Sequence, residues 1–510
     1  MTNERTVTVK IGDALIPTRI GDNLGALLSD RVSDAGGSFA MPCGGHGRCG
    51  KCRVKVTGGV SPLTERERSV LSEREIEEGV RLACLTSVTG DCEVTPCEAG
   101  GQSQIRADGT LPAFSLSPMF CRFGAALDIG TTTLAARLYD PAGRLLAEMT
   151  ELNPESAWGA DVISRMEACL AGHAAQIAET IRSAADGMLT AMAAEAGIRA
   201  EEIDAMVITG NTVMLHLLTG DDVEPMTHAP FHANRLFGEF VTAGEIGLSA
   251  LSPDVRIYLP PCAAAFVGAD ISTALLASEI CRSERTAVLV DIGTNGEMML
   301  WHRGELHATS TAAGPAFEGA GISMGMGGRA GAVDRVKVED GEIAAHVIGD
   351  AAPVGICGSG LVDAVACLLA VDALDETGFL EDDPAMIADP VCLTQDDIRQ
   401  VQLAKSAIHA GMRTLLAAAG VDCGEVEELA VAGGFGSYLD IHNAVAIGLL
   451  PEELGDRVRV LGNAALAGAS MLLLAGDLRG ECEARARGVK MVALAANPVF
   501  AAEYMERMMF

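Results

Sequence analysis

Four cysteines near the N-terminus have the residue type and spacing of metal ligands. Cys43, Cys49, Cys52 and Cys84 follow the pattern C-x5-C-x2-C-x31-C. Four thiolates can bind an iron–sulfur cluster or a zinc ion, and the glycines between Cys43 and Cys52 let the backbone wrap around such a group. Zinc sites are usually built from two short cysteine pairs, whereas Cys84 stands alone. The spacing therefore favours a cluster over a zinc ion or unrelated thiols.

Two segments that share one pattern could bind phosphate. Asp128 to Thr133 reads Asp-Ile-Gly-Thr-Thr-Thr, and Asp291 to Gly296 reads Asp-Ile-Gly-Thr-Asn-Gly. Each lies between two short apolar runs, which predicts a strand, a tight turn and a second strand. Such a turn can direct N–H groups and threonine hydroxyls at phosphate oxygens, and its aspartate can hold Mg²⁺ through water. One copy would be explained equally well by a plain hairpin, but two copies 163 residues apart predict a duplicated domain with a nucleotide between its halves.

Composition limits the classes of protein to which the chain can belong. Its 510 residues are 49% hydrophobic and 21% charged, which is ordinary for a globular protein of several domains. The formal net charge of −32 argues against nucleic acid or an anionic membrane surface as a partner. Because no apolar segment follows a basic N-terminal region, we expect no secretory signal and a cytoplasmic location. Fifteen cysteines in such a protein indicate thiols and metal sites rather than disulfides.

The elements around the cysteines predict a small domain over residues 1–97. Residues 6–10 and 14–19 alternate like strands, residues 23–33 have helical spacing, and residues 53–57 form a strand after the cysteine loop. The gap between the first two cysteines is one residue longer than in plant-type ferredoxins. The segment resembles [2Fe–2S] ferredoxins with this longer gap, whose fold is a β-grasp. Residues 98–122 lack periodicity and read as a linker.

The pattern of the remaining chain predicts alternating strands and helices around several glycine-rich loops. The glycines Gly433, Gly434 and Gly436 follow a predicted strand and would allow the backbone to lie flat against a nucleoside. Thr394, with Asp397 three residues later, predicts a capped helix that continues to about Ala419. Further strands are predicted at 204–209, 428–432 and 489–494, and helices at 161–170, 175–195 and 464–475.

Five motifs in chain order resemble the actin/Hsp70/sugar-kinase superfamily. They are DIGTTT from Asp128, PPCAAAFVGAD from Pro260, DIGTNGE from Asp291, AGGFGSYLD from Ala432 and GNAALAGASMLL from Gly462. Together with the ferredoxin-like segment and the motifs GNTVMLHLL, AAGPAFEGAGISMGMGG, PVGICGSGLVDAVA and QLAKSAIHAG, they resemble the reductive activators of corrinoid-dependent methyltransferases. The resemblance covers residues 1 to about 476.

The resemblance implies an α/β fold in which a β-grasp ferredoxin-like domain precedes a duplicated actin/Hsp70-like ATPase domain of the ribonuclease H type. The halves would span residues 123–285 and 286–476, followed by a strand and helix extension over 477–510. Activators of this kind reduce an inactive Co(II) corrinoid to Co(I) and use ATP because the electron transfer is uphill. The implied cofactors are a [2Fe–2S] cluster, ATP and Mg²⁺.

Site residues carry over from the family motif by motif. Asp128 and Asp291 would hold Mg²⁺ and a water. Hsp70-like ATPases also place an acidic residue at the start of the first connecting helix, and the matching position in this chain is about Pro260, which is not acidic. Glu297 and Asp291 therefore remain the candidates for orienting the attacking water. The cluster ligands would be Cys43, Cys49, Cys52 and Cys84; the phosphate ligands Gly130, Thr131, Thr132, Gly293, Thr294 and Asn295; and the nucleoside contacts Gly433, Gly434 and Gly436.

The implied partners are a corrinoid protein of a methyltransferase system and a low-potential electron donor of the ferredoxin or flavodoxin type. Nucleic acid and membranes are not expected, and a homodimer is allowed. Three other functions stay open. The chain could activate a 2-hydroxyacyl-CoA dehydratase or benzoyl-CoA reductase, although those activators lack the N-terminal ferredoxin domain; it could be a small-molecule kinase with a structural metal domain; or it could be a non-catalytic redox-sensing partner.

Overall fold

The computed structural model describes residues 6–11, 14–28, 52–71, 73–96, 111–434 and 438–510. The chain forms two compact units. The first comprises Met1–Gly101 and Pro154–Ala168, and the second comprises Gln102–Asn153 and Cys169–Phe510. Within the described ranges, no helix combines the length and the apolar character that crossing a membrane would need.

The first unit contains a five-stranded sheet in the order β2-β1-β5-β3-β4. Strands β1 and β5 are parallel, and the other neighbours are antiparallel. A mixed sheet of this order, with a helix after the first hairpin, is the predicted β-grasp arrangement, and its core is a cluster of valines and leucines. The elements are β1 (Thr6–Ile11), β2 (Ala14–Arg19), the described part of α1 (residues 24–28), β3 (Arg53–Val60), α2 (Glu65–Val70), α3 (Glu73–Glu77), β4 (Val80–Leu82) and β5 (Val88–Pro96).

A buried ion pair holds the segment that carries Cys84. Glu67 is fully buried in α2 and accepts hydrogen bonds from Arg81 at 2.9 and 3.0 Å and from the Leu82 N–H at 3.2 Å. It also completes the capping box of α2 by accepting from the Thr64 N–H at 2.8 Å. Burial opposes ionisation of Glu67, but the hydrogen bonds from Arg81, Thr64 and Leu82 outweigh it and lower its pKa.

Glu67→Ala is expected to destabilise the first unit by roughly 3–5 kcal/mol, because Arg81 would be left buried without its carboxylate. Glu93→Ala is the matched control, since its ion pair with Lys10 lies on the surface and such pairs contribute at most about 1 kcal/mol. The rate of hydrogen exchange at β4 and β5 measures the loss of stability in each variant. The contribution of Glu67 to the free energy of unfolding should be complete above its ordinary pKa of 4.5 and should decline as the pH falls below that value. Equal exchange in the two variants would contradict this assignment.

The second unit contains two six-stranded sheets that share the topology of five strands and differ in the sixth, which is β10 next to β11 in the first sheet and β22 next to β14 in the second. The first has the order β10-β11-β9-β6-β7-β8 and the second the order β21-β20-β12-β13-β14-β22. In each, three antiparallel strands follow one another and the first of them pairs in parallel with a later strand, which confirms the predicted duplication. The strands are β6 (Phe123–Ile129), β7 (Thr133–Tyr139), β8 (Leu145–Leu152), β9 (Ile203–Gly210), β10 (Glu239–Thr242), β11 (Arg256–Leu259), β12 (Ala287–Ile292), β13 (Asn295–His302), β14 (Glu305–Ala312), β20 (Glu428–Ala432), β21 (Val458–Gly462) and β22 (Lys490–Met491).

Five further strands form a three-stranded and a two-stranded sheet in the second half: β15 (Ala332–Glu339), β16 (Glu342–Val347), β17 (Gly355–Ile356), β18 (Ala385–Ala388) and β19 (Val391–Leu393). The helices predicted at 161–170, 175–195 and 464–475 are confirmed, as is the capping box that Thr394 and Asp397 form at the start of α10, whereas the helix predicted over 23–33 lies partly outside the described residues. The remaining helices are α4 (Val162–Ala168), α5 (Ala174–Glu195), α6 (Thr212–Thr219), α7 (Ala243–Ile246), α8 (Ala269–Ser278), α9 (Gly358–Ala370), α10 (Gln395–Ala419), α11 (Ile441–Ala446), α12 (Ala464–Leu474), α13 (Arg479–Arg487) and α14 (Pro498–Glu506).

Helices α8 and α12 pack closely together between the two sheets. A side chain at Gly468 of α12 would place its Cβ 1.9 Å from the backbone oxygen of Thr273 in α8, so only glycine fits there. Leu466 and Leu472 of α12 pack on the first sheet, while Ala467 and Met471 pack on the second. Movement of one half relative to the other must therefore involve these two helices.

The last residues of the chain pack on the second half. The fully buried Lys405 of α10 donates to the backbone oxygens of Arg507 at 2.6 Å and Met509 at 2.5 Å, and Ser406 donates to the oxygen of Arg507 at 2.7 Å. The strand predicted over 489–494 is limited to Lys490–Met491, because only these residues pair with β14.

Candidate functional site

The two predicted phosphate turns face one cleft in the second unit. The turns follow β6 and β12, and the cleft that they line opens to solvent. The structure brings these predicted residues together in its lining: Asp128, Gly130, Thr131, Asp291, Gly293, Thr294, Asn295, Glu297, Gly433 and Gly434.

One predicted nucleotide contact lies beside that lining, and another cannot be placed. Thr132 lies beside the cleft and contacts Glu318, which is one of the lining residues. Gly436 lies outside the described residues. Gly433 has φ +109°, and a Cβ there would lie 2.5 Å from the Ile292 oxygen, so this position requires glycine.

Hydrogen bonds from outside the cleft fix the first turn. The Asn153 N–H donates to the Thr132 oxygen and its side-chain amide donates to the Gly130 oxygen, both at 2.8 Å. Because the C=O and N–H of one trans peptide point in opposite directions, the Thr131 N–H must point away from Asn153. The turn is therefore held in one orientation before any phosphate binds.

Two helix-capping asparagines reach into the cleft, and sequence reasoning missed both. Asn211 caps α6 and donates from its amide to the Thr131 hydroxyl at 3.0 Å. Asn463 caps α12 and donates to Asp128 at 2.9 Å. In each, the side-chain oxygen holds the helix start and the nitrogen positions a predicted site residue. An asparagine directly before an apolar helix is a recognisable cap, so this signal was present in the sequence.

Five carboxyl groups line the cleft: Asp128, Asp270, Asp291, Glu297 and Glu318. Among the lining residues in the described part of the chain there is no lysine, arginine or histidine. A polyphosphate could enter such a cleft only with a cation that offsets the negative charges. No three acidic, histidine or cysteine side chains among the described residues are close enough to hold a metal ion directly. Mg²⁺ bound partly through water fits this arrangement, because it retains several waters in protein sites.

Burial and mutual repulsion favour the protonated forms of these groups. Burial raises the pKa of Asp128 to about 6, against a hydrogen bond from Asn463. The pKa of Asp291 is raised to about 7, mainly by burial and secondly by the charges of Asp128 and Glu318. The pKa of Asp270 is raised to about 8, mainly by burial and secondly by the charge of Asp291. The pKa of Glu297 is raised well above its ordinary value, mainly by burial and secondly by the charge of Asp270.

The expectation that the first connecting helix starts near Pro260 without an acidic residue is wrong. The chain from Pro260 to Gly268 is not helical, and α8 begins at Ala269 with Asp270 in its first turn. The Asp270 carboxylate accepts from the Ile271 N–H at 2.8 Å and lines the cleft. Glu297, which with Asp291 was a predicted candidate for orienting the water, accepts from the Gly268 N–H at 2.9 Å, immediately before that helix. The geometry thus adds Asp270 as a candidate for orienting water.

The affinity for a magnesium nucleotide is expected to rise as the pH increases from 6 to 8. Below their raised pKa values, Asp128 and Asp291 hold protons that the cation must displace, which costs up to roughly tenfold in affinity per pH unit for each proton released. The stabilisation of the fold by these protonated carboxyls should also be lost as the pH rises through those values. Calorimetric titration at pH 6, 7 and 8 tests this, with an EDTA-treated sample as the control. Equal affinity at all three pH values would contradict it.

The first unit brings two of the four predicted cluster ligands together. The sulfur atoms of Cys52 and Cys84 lie 3.2 Å apart and both residues are buried. This distance exceeds the bond of about 2.05 Å in a disulfide, so the two thiols are not bonded to each other. The Ala83 N–H donates to the Cys52 oxygen at 2.9 Å, and Asn23 donates to the Cys84 oxygen at 2.8 Å. Cys43 and Cys49 lie outside the described residues. Two buried, adjacent thiols on separate segments fit a shared metal group.

Comparisons with protein families cover nearly the whole chain. A family model described as "C-terminal domain of RACo the ASKHA domain" matches residues 285–510, and one described as "RACo middle region" matches residues 123–283. A model described as "2Fe-2S iron-sulfur cluster binding domain" matches residues 21–89.

Individual proteins support the same grouping. The chain is 35% identical over 419 residues to the corrinoid activation enzyme RamQ of Eubacterium limosum, covering 76% of this chain and 70% of RamQ. It is 24% identical over 387 residues to the [Co(II) methylated amine-specific corrinoid protein] reductase of Methanosarcina barkeri, covering 69% of this chain and 70% of the reductase. Among solved structures, a reductive activator for corrinoid,iron-sulfur protein superposes with a TM-score of 0.72 at 26% identity, covering 99% of this chain and 98% of that chain.

Proposed function

The chain belongs to the family of reductive activators of corrinoid proteins, and we propose that it uses ATP to reduce the Co(II) corrinoid of a methyltransferase corrinoid protein to Co(I). The electron would pass through a [2Fe–2S] cluster in the first unit. The observation that carries this proposal is the presence, in one chain, of a buried thiol pair and a cleft with two phosphate turns. The cytoplasm is the expected location.

The need for ATP follows from redox energetics. The Co(II)/Co(I) couple lies below a plant-type ferredoxin cluster, which is itself near about −400 mV. Each 100 mV of deficit costs about 2.3 kcal/mol per electron. Nucleotide binding and hydrolysis must therefore be coupled to the transfer.

The cleft residues would bind and orient the nucleotide. The backbone and hydroxyls of the two turns would hold the phosphates, and Asp128 and Asp291 would hold a hydrated Mg²⁺ between them. The Asp270 carboxylate would orient the attacking water and accept its proton, which fits its position in the first turn of α8. Gly433 and Gly434, with Gly436, would lie against the nucleoside.

The four cysteines Cys43, Cys49, Cys52 and Cys84 would hold the cluster, which supplies a one-electron carrier when bound. The buried Glu67–Arg81 pair keeps Cys84 in place through Leu82, so this ligand would keep its position during turnover. An electron donor of the ferredoxin or flavodoxin type would deliver the electrons.

Nucleotide-dependent closure is the coupling that the fold supports best. Helices α8 and α12 both begin at the cleft, with Asp270 and Asn463, and both pack between the two sheets. A nucleotide that draws the two turns together must act on the starts of these helices. The closed form would favour a complex with the corrinoid protein in which its cobalt becomes easier to reduce.

Metal analysis of anaerobically purified protein tests the electron-carrying half of this proposal. We expect about two irons and two sulfides per chain and a visible spectrum that bleaches on reduction with dithionite. If the analysis finds zinc and no sulfide, the chain has no such electron carrier, and the second unit would then act as a kinase or a regulator.

A further inference from the structure

One carboxylate oxygen joins the two phosphate turns. Glu318 Oε2 accepts a hydrogen bond from the Thr132 hydroxyl of the first turn at 2.8 Å and another from the Thr294 hydroxyl of the second turn. The two threonines belong to different halves of the duplicated domain. Glu318 therefore links the halves across the cleft, and no part of the reaction described above uses it.

The local backbone holds Glu318 over the second turn. It ends a short 3-10 helix, Ala316–Glu318, and the following Gly319 has φ +76°. A Cβ at Gly319 would lie 2.5 Å from the Met326 oxygen, so this turn requires glycine. A Cβ at Gly293 would lie 3.4 Å from Glu318 Oε1, which places the second carboxylate oxygen against the turn itself.

A carboxylate oxygen and a phosphoryl oxygen are both anionic acceptors and suit the same hydroxyl donors. Thr132 and Thr294 are two of the three threonines whose hydroxyls are expected to bind phosphate, and Thr131 is the third. The Glu318 carboxylate occupies the place between them that a phosphoryl oxygen would need, and it adds a negative charge to a lining without basic residues in the described part of the chain. The Glu318 carboxylate and a phosphoryl group cannot occupy this place at the same time.

We propose that Glu318 is the residue through which the cleft distinguishes ATP from ADP. The terminal phosphoryl group of ATP takes over the hydroxyls of Thr132 and Thr294, and the displaced carboxylate carries the loop of residues 313–325 away from the turns. ADP lacks this group and leaves Glu318 joined to both threonines. The inference rests on the proposed function, because it requires that this cleft binds ATP.

The test compares Glu318→Gln with the wild-type chain in excess Mg²⁺. Glutamine keeps an acceptor oxygen but removes the charge that competes with phosphate. We expect the variant to bind a non-hydrolysable ATP analogue at least about tenfold more tightly, since like-charge juxtaposition is costly, and to bind ADP within about twofold of wild type. Glu342→Gln, an exposed carboxylate on β16, is the control with the same chemical change and should bind both nucleotides as wild type does.

Hydrogen exchange supplies a second measurement on the same proteins. In the wild-type chain, the ATP analogue should increase exchange over residues 313–325 relative to ADP, and in Glu318→Gln this difference should shrink. Unchanged or weaker binding of the ATP analogue by Glu318→Gln, or equal exchange with both nucleotides in the wild type, would overturn the inference. If the wild-type chain binds neither nucleotide, the proposed ATP-dependent function fails instead, so the two failures are distinguishable.

Discussion

Cys84→Ala is expected to abolish cluster assembly and with it all reduction of the corrinoid partner. Cys84 and Cys52 lie 3.2 Å apart in a buried site, and loss of one thiolate leaves three ligands for a cluster that needs four. We expect the iron and sulfide contents to fall from about two per chain to near zero. ATP hydrolysis should remain, because the cleft lies in the second unit.

The matched control for this variant is Cys92→Ala. Cys92 is also buried in the first unit, on β5, and burial raises the pKa of its thiol, but it lies outside the cysteine pattern of the four predicted ligands. Its replacement should leave the iron content and the visible spectrum unchanged. Full iron content in Cys84→Ala, or equal loss in both variants, would contradict the ligand assignment. A far-ultraviolet circular dichroism spectrum on each protein separates cluster loss from unfolding.

Asp270→Asn is expected to slow ATP hydrolysis by roughly 10²–10⁴-fold, the usual contribution of a positioned general base. Burial and the neighbouring Asp291 raise the pKa of Asp270 to about 8, which suits a group that accepts a proton near neutral pH. Asparagine keeps the shape and the oxygen that caps the Ile271 N–H, but it cannot accept that proton. Binding of ATP should be kept, because asparagine adds no charge to the cleft.

A comparison of turnover with affinity separates this role from a structural one. In Asp270→Asn, kcat should fall while KM stays equal. Asp254→Asn, an exposed aspartate of the first half, should have no effect on either. Glu297→Gln distinguishes the two acidic candidates, because Glu297 supports the loop before α8 through the Gly268 N–H. Hydrolysis at the wild-type rate in Asp270→Asn, with a loss in Glu297→Gln, would move the role to Glu297.

Local patterns in the sequence predicted the parts of the site that depend on short segments. The two turns at Asp128 and Asp291 were predicted because strand, glycine turn and strand are encoded by neighbouring residues. The strands at residues 6–10 and 14–19 and the capping box at Thr394 were predicted for the same reason, and the structure confirms them. Repetition of one turn pattern then predicted the duplicated domain.

The missed residues depend on contacts or boundaries that the sequence does not mark. Helix α8 begins after Gly268, which offers no side-chain cap, so nothing in the sequence places its start at Ala269 and Asp270 in its first turn. Glu318 is 186 residues from Thr132 in the chain, and only the fold brings them together. Of the capping asparagines, the cap itself was recognisable, but the contacts of Asn211 with Thr131 and of Asn463 with Asp128 were not.

The most direct test of the central claim is the ATP dependence of cobalt reduction. The chain with its cluster assembled is mixed anaerobically with the Co(II) form of a methyltransferase corrinoid protein and a mild reductant, and the cobalt absorption bands are followed with and without Mg-ATP. We expect Co(I) to form only when Mg-ATP is present and not to form with the Cys84→Ala chain. Stoichiometric Co(I) formation without nucleotide would contradict the coupling of ATP to electron transfer.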